Sequence, residues 1–143
     1  MAEGLFLHSY NESSERFAVL DEYNEVAFLY LSKVGEPSPE KDSIAYMRIE
    51  PKLGVDLTEL AEKGLPPQIS RELASERSVL AHAEEQDFSF LWSKGGNSVA
   101  LLYKREPITF ISTTEKLGYS KSVKMDSSLV NSWNQAKYDA IFQ

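Results

Sequence analysis

Short runs of alternating apolar and polar residues, typical of β-strands, recur along the chain. Residues 17–20 and 26–31 form two such runs around an Asp/Asn-containing turn, which predicts a β-hairpin. Residues 43–49 predict a third strand, because Ile44 and Tyr46 alternate there with Ala45 and Met47. The first third of the chain is therefore expected to form β-structure.

The same alternation is clearest after residue 87. Phe88, Phe90 and Trp92 share one face of a predicted strand, and the Lys-Gly-Gly-Asn sequence at 94–97 is typical of a tight turn. Further strands are predicted at 99–103, 108–112 and 119–123. The short loops between them cannot provide parallel crossovers, so we expect an antiparallel meander of about four strands in this half.

Two segments have helical spacing. Asp56 is a good N-cap with Glu59 three residues later, and this predicts a helix of about two turns that stops at Gly64. A C-terminal helix is predicted from Leu129 onward, with Asp126, Ser127 or Ser128 as its cap. Residues 65–87 give no clear signal. The expected fold class is α+β: one domain over residues 1–143, with a mainly antiparallel sheet of about six to seven strands and two or three short helices.

Composition and charge narrow the function classes. The 143 residues include 42% hydrophobic and 26% charged residues and no cysteine, which is typical of a globular domain without disulfides or thiolate metal sites. The net charge is −7. Residues 1–50 contribute −6 of it, with 10 acidic and four basic residues. This acidity argues against nucleic acid and anionic membranes as partners, because both require clustered basic residues.

The N-terminal sequence lacks the features of a secretory signal. Glu3 is acidic, no basic segment precedes the apolar residues 4–7, and the longest apolar runs are too short to cross a bilayer. We expect a cytoplasmic protein.

Two blocks of the sequence resemble a small bacterial family of unknown function. The first contains Trp92-Ser93-Lys94-Gly95-Gly96, then Ala100-Leu101-Leu102, Pro107 and Gly118-Tyr119; the second contains Phe17-Ala18-Val19 followed by Asp21-Glu22. The sequence departs from the family pattern at three places: Gly95 replaces an Asp, Leu117 replaces an Arg, and Tyr23-Asn24 replaces Asp-Gly. The resemblance implies a bacterial protein with a β-rich fold, and it implies no catalytic residue.

No motif in the chain points to a particular chemistry. His8 and His82 lack metal-ligand spacing, and Gly95-Gly96 is followed by no phosphate-binding Lys-Ser or Lys-Thr pair. The acidic clusters do not form a recognisable glycosidase or calcium site. We therefore expect a protein that is not an enzyme and has no cofactor or metal.

The leading hypothesis is an acidic protein-interaction domain, such as a bacterial immunity protein or another stoichiometric toxin inhibitor. An acidic surface would be steered electrostatically to a basic toxin domain. The predicted protein-binding residues are six carboxylates with two tyrosine anchors: Asp21, Glu22, Glu25, Glu36, Glu40, Asp42, Tyr23 and Tyr30.

Two alternatives remain open from the sequence. One is a small-molecule-binding module or an enzyme with a non-obvious site, in which Arg48 or His82 would point into a closed apolar pocket of the sheet. The other is a homodimer formed by pairing an exposed edge strand across a two-fold axis.

Overall fold

The computed structural model describes residues 4–143 and has an α+β fold. Its strands form two sheets that pack face to face. The first sheet, sheet 1, has the order β1-β2-β3-β4 and is antiparallel throughout. Its strands are Phe6–Asn11 (β1), Arg16–Tyr23 (β2), Val26–Ser32 (β3) and Pro39–Met47 (β4).

The second sheet, sheet 2, has the order β5-β6-β7-β8-β9 and ends in one parallel pair. Its strands are Phe88–Trp92 (β5), Ser98–Tyr103 (β6), Glu106–Ser112 (β7), Tyr119–Ser120 (β8) and Asn131–Ser132 (β9). The helices are Leu57–Glu62 (α1) and Gln135–Ile141 (α2), with a short 3-10 helix at Glu85–Asp87. The predicted meander of the C-terminal half corresponds to β5–β8.

The main core lies between the two sheets. Leu20, Leu29 and Leu31 of sheet 1 pack with Val99 and Leu101 of sheet 2, and all five side chains are fully buried. Polar contacts also join the layers. The hydroxyl groups of Ser43 and Thr109 lie 2.7 Å apart, and the Trp92 indole N–H donates to Ser9 Oγ at 3.0 Å. The alternation seen in the sequence thus sets which face of each strand enters this core.

The outer faces of the two sheets are covered by different segments. On sheet 1, Ile69, Val123 and Val130 from the long connections pack on Phe28 and Ile44. On sheet 2, α2 and Trp133 pack on Phe110 and its neighbours. The cover on sheet 1 is incomplete, because Phe6 and Tyr10 of β1 and Tyr23 of β2 are exposed on its outer face.

Two predicted boundaries in the C-terminal third were wrong. The strand predicted over residues 119–123 covers only Tyr119–Ser120. The C-terminal helix begins after Asn134, whose side chain accepts from Lys137 N, and not near Leu129. Residues 131–132 instead pair in parallel with β8, and the Asp126 carboxylate accepts from Ser132 rather than capping a helix.

The N-terminal strand β1 and the beginning of β4 were not predicted. Polar residues at Ser9 and Asn11 weaken the signal of β1, and two prolines precede the core-facing end of β4. In contrast, α1 was correct. Asp56 accepts a hydrogen bond of 3.1 Å from Glu59 N, as the capping pattern predicted.

Candidate protein interface

The outer face of sheet 1 brings together several of the residues predicted to bind a partner. In the strand register, Phe6 lies opposite Asp21, Val19 opposite Tyr30, and Tyr30 opposite Asp42. Residues opposite each other in a sheet point to the same face. Asp21, Tyr23, Tyr30 and Asp42 therefore share one surface, which we call the outer aromatic face together with Phe6, His8, Tyr10, Phe17 and Val19.

Two exposed aromatic residues of this face, Phe6 and Tyr10, were not among the residues predicted from the sequence. Their side chains are 62% and 47% exposed, and that of Tyr23 is 59% exposed. Alternation of Phe6, His8 and Tyr10 was the available signal, but it spans only one short strand. Large aromatic residues exposed side by side are unusual on a protein surface and are enriched in protein interfaces.

Tyr10 and Phe17 form the concave part of the face. Their rings lie 4.7 Å apart between centroids, and with Glu15 and Gly35 they line an open depression of about 450 Å³. The depression is ordered by the adjoining turns, because Gly35 N donates to Glu15 O at 2.7 Å. Such a shape accommodates a side chain of a partner protein more readily than it encloses a free ligand.

Tyr30 lies between two carboxylates at the centre of the face. Partial burial, followed by the charges of Asp42 and Asp21, raises the pKa of the Tyr30 hydroxyl. Partial burial and the charge of Glu22 also raise the pKa of Asp21. The carboxylates thus place negative potential beside an aromatic ring, an arrangement that favours lysine or arginine side chains.

The β2–β3 turn fixes the end of this face. Tyr23 pairs with Val26, and Asn24 and Glu25 both have positive φ, at 53° and 67°. This two-residue geometry matches the twist of a hairpin. It leaves the Glu25 carboxylate exposed beyond Tyr23, while Glu36 is exposed in the β3–β4 loop.

Glu22, by contrast, is not a surface residue. Its side chain is only 6% exposed and receives a hydrogen bond of 2.7 Å from Arg48 Nη2. The Tyr46 hydroxyl also donates to Glu22, and burial together with this bond raises the pKa of Tyr46. Glu22 lies on the face of β2 opposite to Asp21, so it is not part of the candidate interface.

Glu40 is engaged in a second ion pair. Its carboxylate lies 3.0 Å from Arg16 Nη1, and the same guanidinium donates to Ser32 O at 2.9 Å and to Asn97 Oδ1 at 3.1 Å. Arg16 is buried, so Glu40 neutralises a charge that joins the two sheets. Glu40 therefore has a structural role.

The alternative of a ligand pocket receives less support. Arg48 donates to Glu22 and to the carbonyls of Leu80 and Ala83, and His82 is exposed. Neither points into a closed apolar cavity. A second depression, of about 160 Å³ and lined by Leu57, Leu73 and Leu129 among others, is also open.

Residues 4–143 contain neither a group placed to bind a metal ion nor a membrane-spanning helix. No group of three or more His, Asp or Glu side chains is placed to hold a metal ion. No helix there has the length and apolar character needed to span a membrane.

Comparisons with known proteins found no relatives. The chain matches no protein-family model, no curated protein and no solved structure. The resemblance to a bacterial family of unknown function therefore stays a prediction, and functional inference depends on the geometry of the chain itself.

Proposed function

We propose that the protein is a non-catalytic interaction domain that binds a basic protein through the outer aromatic face. An inhibitor of a basic toxin domain, such as an immunity protein, is the class that best fits. The observation that carries this proposal is the exposure of Phe6, Tyr10 and Tyr23 on the incompletely covered outer face of sheet 1, next to Asp21 and Asp42.

Charge supports a basic partner. Residues 4–47, which form sheet 1 and its turns, contain eight carboxylates and three basic side chains, giving a net charge of −5. The negative electrostatic potential of this region accelerates association with a positively charged surface and repels an acidic one. Tyrosine is one of the residue types enriched among those that dominate the binding energy of protein interfaces.

Affinity capture with matched charge variants tests the proposal. The tagged protein is incubated with lysate of the organism that encodes it, and stoichiometric partners are identified by mass spectrometry. Glu25→Lys/Asp42→Lys reverses two exposed charges at the proposed interface. Glu106→Lys/Asp139→Lys reverses two exposed charges on the sheet 2 side of the molecule and serves as the control.

The expected result is one basic partner that the unmodified protein and the control variant retain and the interface variant loses. Association should also slow as salt is raised, because the attraction acts over a distance that ions screen. A partner retained equally by both variants would overturn the assignment of this face. An inhibition assay on the captured partner then decides whether the domain is an inhibitor.

A further inference from the structure

Strand β1 is an edge strand without the usual protection against pairing. Within residues 4–143 it pairs only with β2, in a continuous register. Its sequence, FLHSYN, contains no Asp, Glu, Lys, Arg or Pro, and its pairing has no bulge. Natural edge strands are commonly protected by charges, prolines or bulges of this kind, so the edge of β1 is open to another strand.

The free hydrogen-bonding groups of β1 belong to three residues. Glu22 N donates to Leu5 O at 2.9 Å, which makes Leu5 and Glu22 a hydrogen-bonded pair. Because such pairs alternate along an antiparallel ladder, the backbone groups of Phe6, His8 and Tyr10 point away from β2. The same three residues place their side chains on the outer aromatic face. An added strand would therefore gain backbone bonds and ring contacts together.

Charge selects the kind of strand that fits. A second copy of this chain would bring another sheet 1 with a net charge of −5. If two β1 strands paired antiparallel across a two-fold axis, the C-terminal end of each β1 would lie beside the N-terminal end of the other. Glu12 and Glu15 of each copy would then approach Asp21 of the other copy. These like charges disfavour self-pairing, whereas an extended segment with lysine or arginine side chains is attracted.

We propose that β1 accepts an extended, basic segment of the partner protein as an additional strand of sheet 1. An added strand lies about 4.8 Å from β1, so its alternate side chains lie directly beside Phe6, His8 and Tyr10. Long basic side chains extend from there toward the carboxylates of sheet 1. This inference rests on the proposed function and specifies how the partner is recognised.

A designed peptide tests the mode of binding directly. The probe is acetyl-Lys-Val-Arg-Val-Lys-Val-amide, compared with a version methylated on alternate backbone nitrogens and with a version in which glutamates replace the basic residues. Amide hydrogen exchange of the protein is followed by NMR. The amides of Phe6, His8 and Tyr10 are expected to exchange about tenfold or more slowly with the basic probe only.

Two variants separate backbone pairing from contact with the rings. His8→Pro removes an outward N–H, whereas His8→Ala keeps it and removes only the ring. Only His8→Pro should abolish binding of the probe. The methylated probe provides the same comparison without any change in the protein, so the test does not depend on how well His8→Pro folds.

The outcomes distinguish this inference from the proposed function. Equal binding of the methylated probe would overturn strand addition. A further outcome is that the Glu25→Lys/Asp42→Lys variant fails to bind the natural partner while the His8→Pro variant still binds it. That result would support the proposed interface and overturn strand addition. Failure of the basic probe to bind at millimolar concentration overturns strand addition. Slow exchange of the three amides that appears only as the protein itself is concentrated identifies a second copy as the occupant and also overturns it.

Discussion

Glu22 and Arg48 form the charged centre of a network that ties a long connection to sheet 1. The carboxylate of Glu22 lies 2.7 Å from Arg48 Nη2, and Arg48 Nη1 donates to the carbonyl oxygens of Leu80 and Ala83 at 3.0 and 2.8 Å. The guanidinium carbon also lies 5.5 Å from the centroid of the Tyr46 ring. One arginine therefore holds residues 80–83 against strands β2 and β4.

Removing the charge of Glu22 should destabilise the protein. Glu22→Gln is nearly isosteric but leaves Arg48 with an uncompensated, largely buried charge, which typically costs about 3 kcal/mol. Urea unfolding measures the change in the free energy of unfolding. Glu25→Gln is the control, because Glu25 is exposed in the adjacent turn and should change stability by less than about 0.5 kcal/mol. Equal effects of the two substitutions would contradict a structural role for Glu22.

Gly118 is required by a close approach between the sheets. A Cβ atom at this position would lie 2.4 Å from Ser43 Cβ and 3.2 Å from Phe110 O. Gly118→Ala should therefore lower the unfolding free energy by about 1–3 kcal/mol through overpacking. Ser43→Gly removes the nearest atoms, so the double variant should lose less than the sum of the single changes. Strict additivity in the thermal or urea unfolding data would exclude this steric explanation.

The β6–β7 hairpin carries backbone strain that can be relieved. Lys104 and Arg105 both have positive φ, at 49° and 73°, in a two-residue turn that favours Asn-Gly. Lys104→Asn/Arg105→Gly should raise the unfolding free energy by about 1 kcal/mol. Lys94→Gly is the control. Lys94 lies in the β5–β6 turn without positive φ, so glycine there relieves no strain and only increases the conformational entropy of the unfolded chain. A control that stabilises equally would disprove the strain argument.

Local sequence patterns predicted most strands. The errors arise where packing between distant segments determines the secondary structure. The Lys-Gly-Gly-Asn turn and the alternation around Phe90 are complete within a few residues, so they could be interpreted from the sequence. Leu129 and Trp133 have helical spacing, but pairing with β8 and a hydrogen bond to Asp126 make Asn131–Ser132 a strand. The local sequence gives no indication that pairing with β8 will outweigh the helical spacing.

The candidate interface was predictable only in part, for the same reason. Asp21 and Glu22 are neighbours with the same charge, yet strand alternation places one on the outer face and the other beside Arg48. The sequence identified both as surface carboxylates, because Arg48 is distant along the chain. Phe6 and Tyr10 gain significance only once β1 is known to lie at the edge of sheet 1.

Glu115 links the β7–β8 connection to α2 and should make stability depend on acid pH. Its carboxylate accepts from the Tyr119 hydroxyl at 2.6 Å and from Lys137 Nζ at 3.0 Å, and these bonds lower the pKa of Glu115 from its ordinary 4.5. The folded state thus binds its proton less readily than the unfolded state. The stabilisation is complete above about pH 4.5 and is lost as the pH falls through the lower, folded-state pKa.

Glu115→Gln should therefore reduce the unfolding free energy at neutral pH by up to about 1 kcal/mol, as is usual for a partly exposed pair. In urea titrations at decreasing pH, the curves of the variant and the unmodified protein should converge. Glu62→Gln is the control, since Glu62 lies on α1 and the described residues offer it no hydrogen-bonding or ion-pair partner; no such convergence is expected for it. A Glu115→Gln difference that persists unchanged at the lowest pH would show that the carboxylate acts by packing and not by its charge.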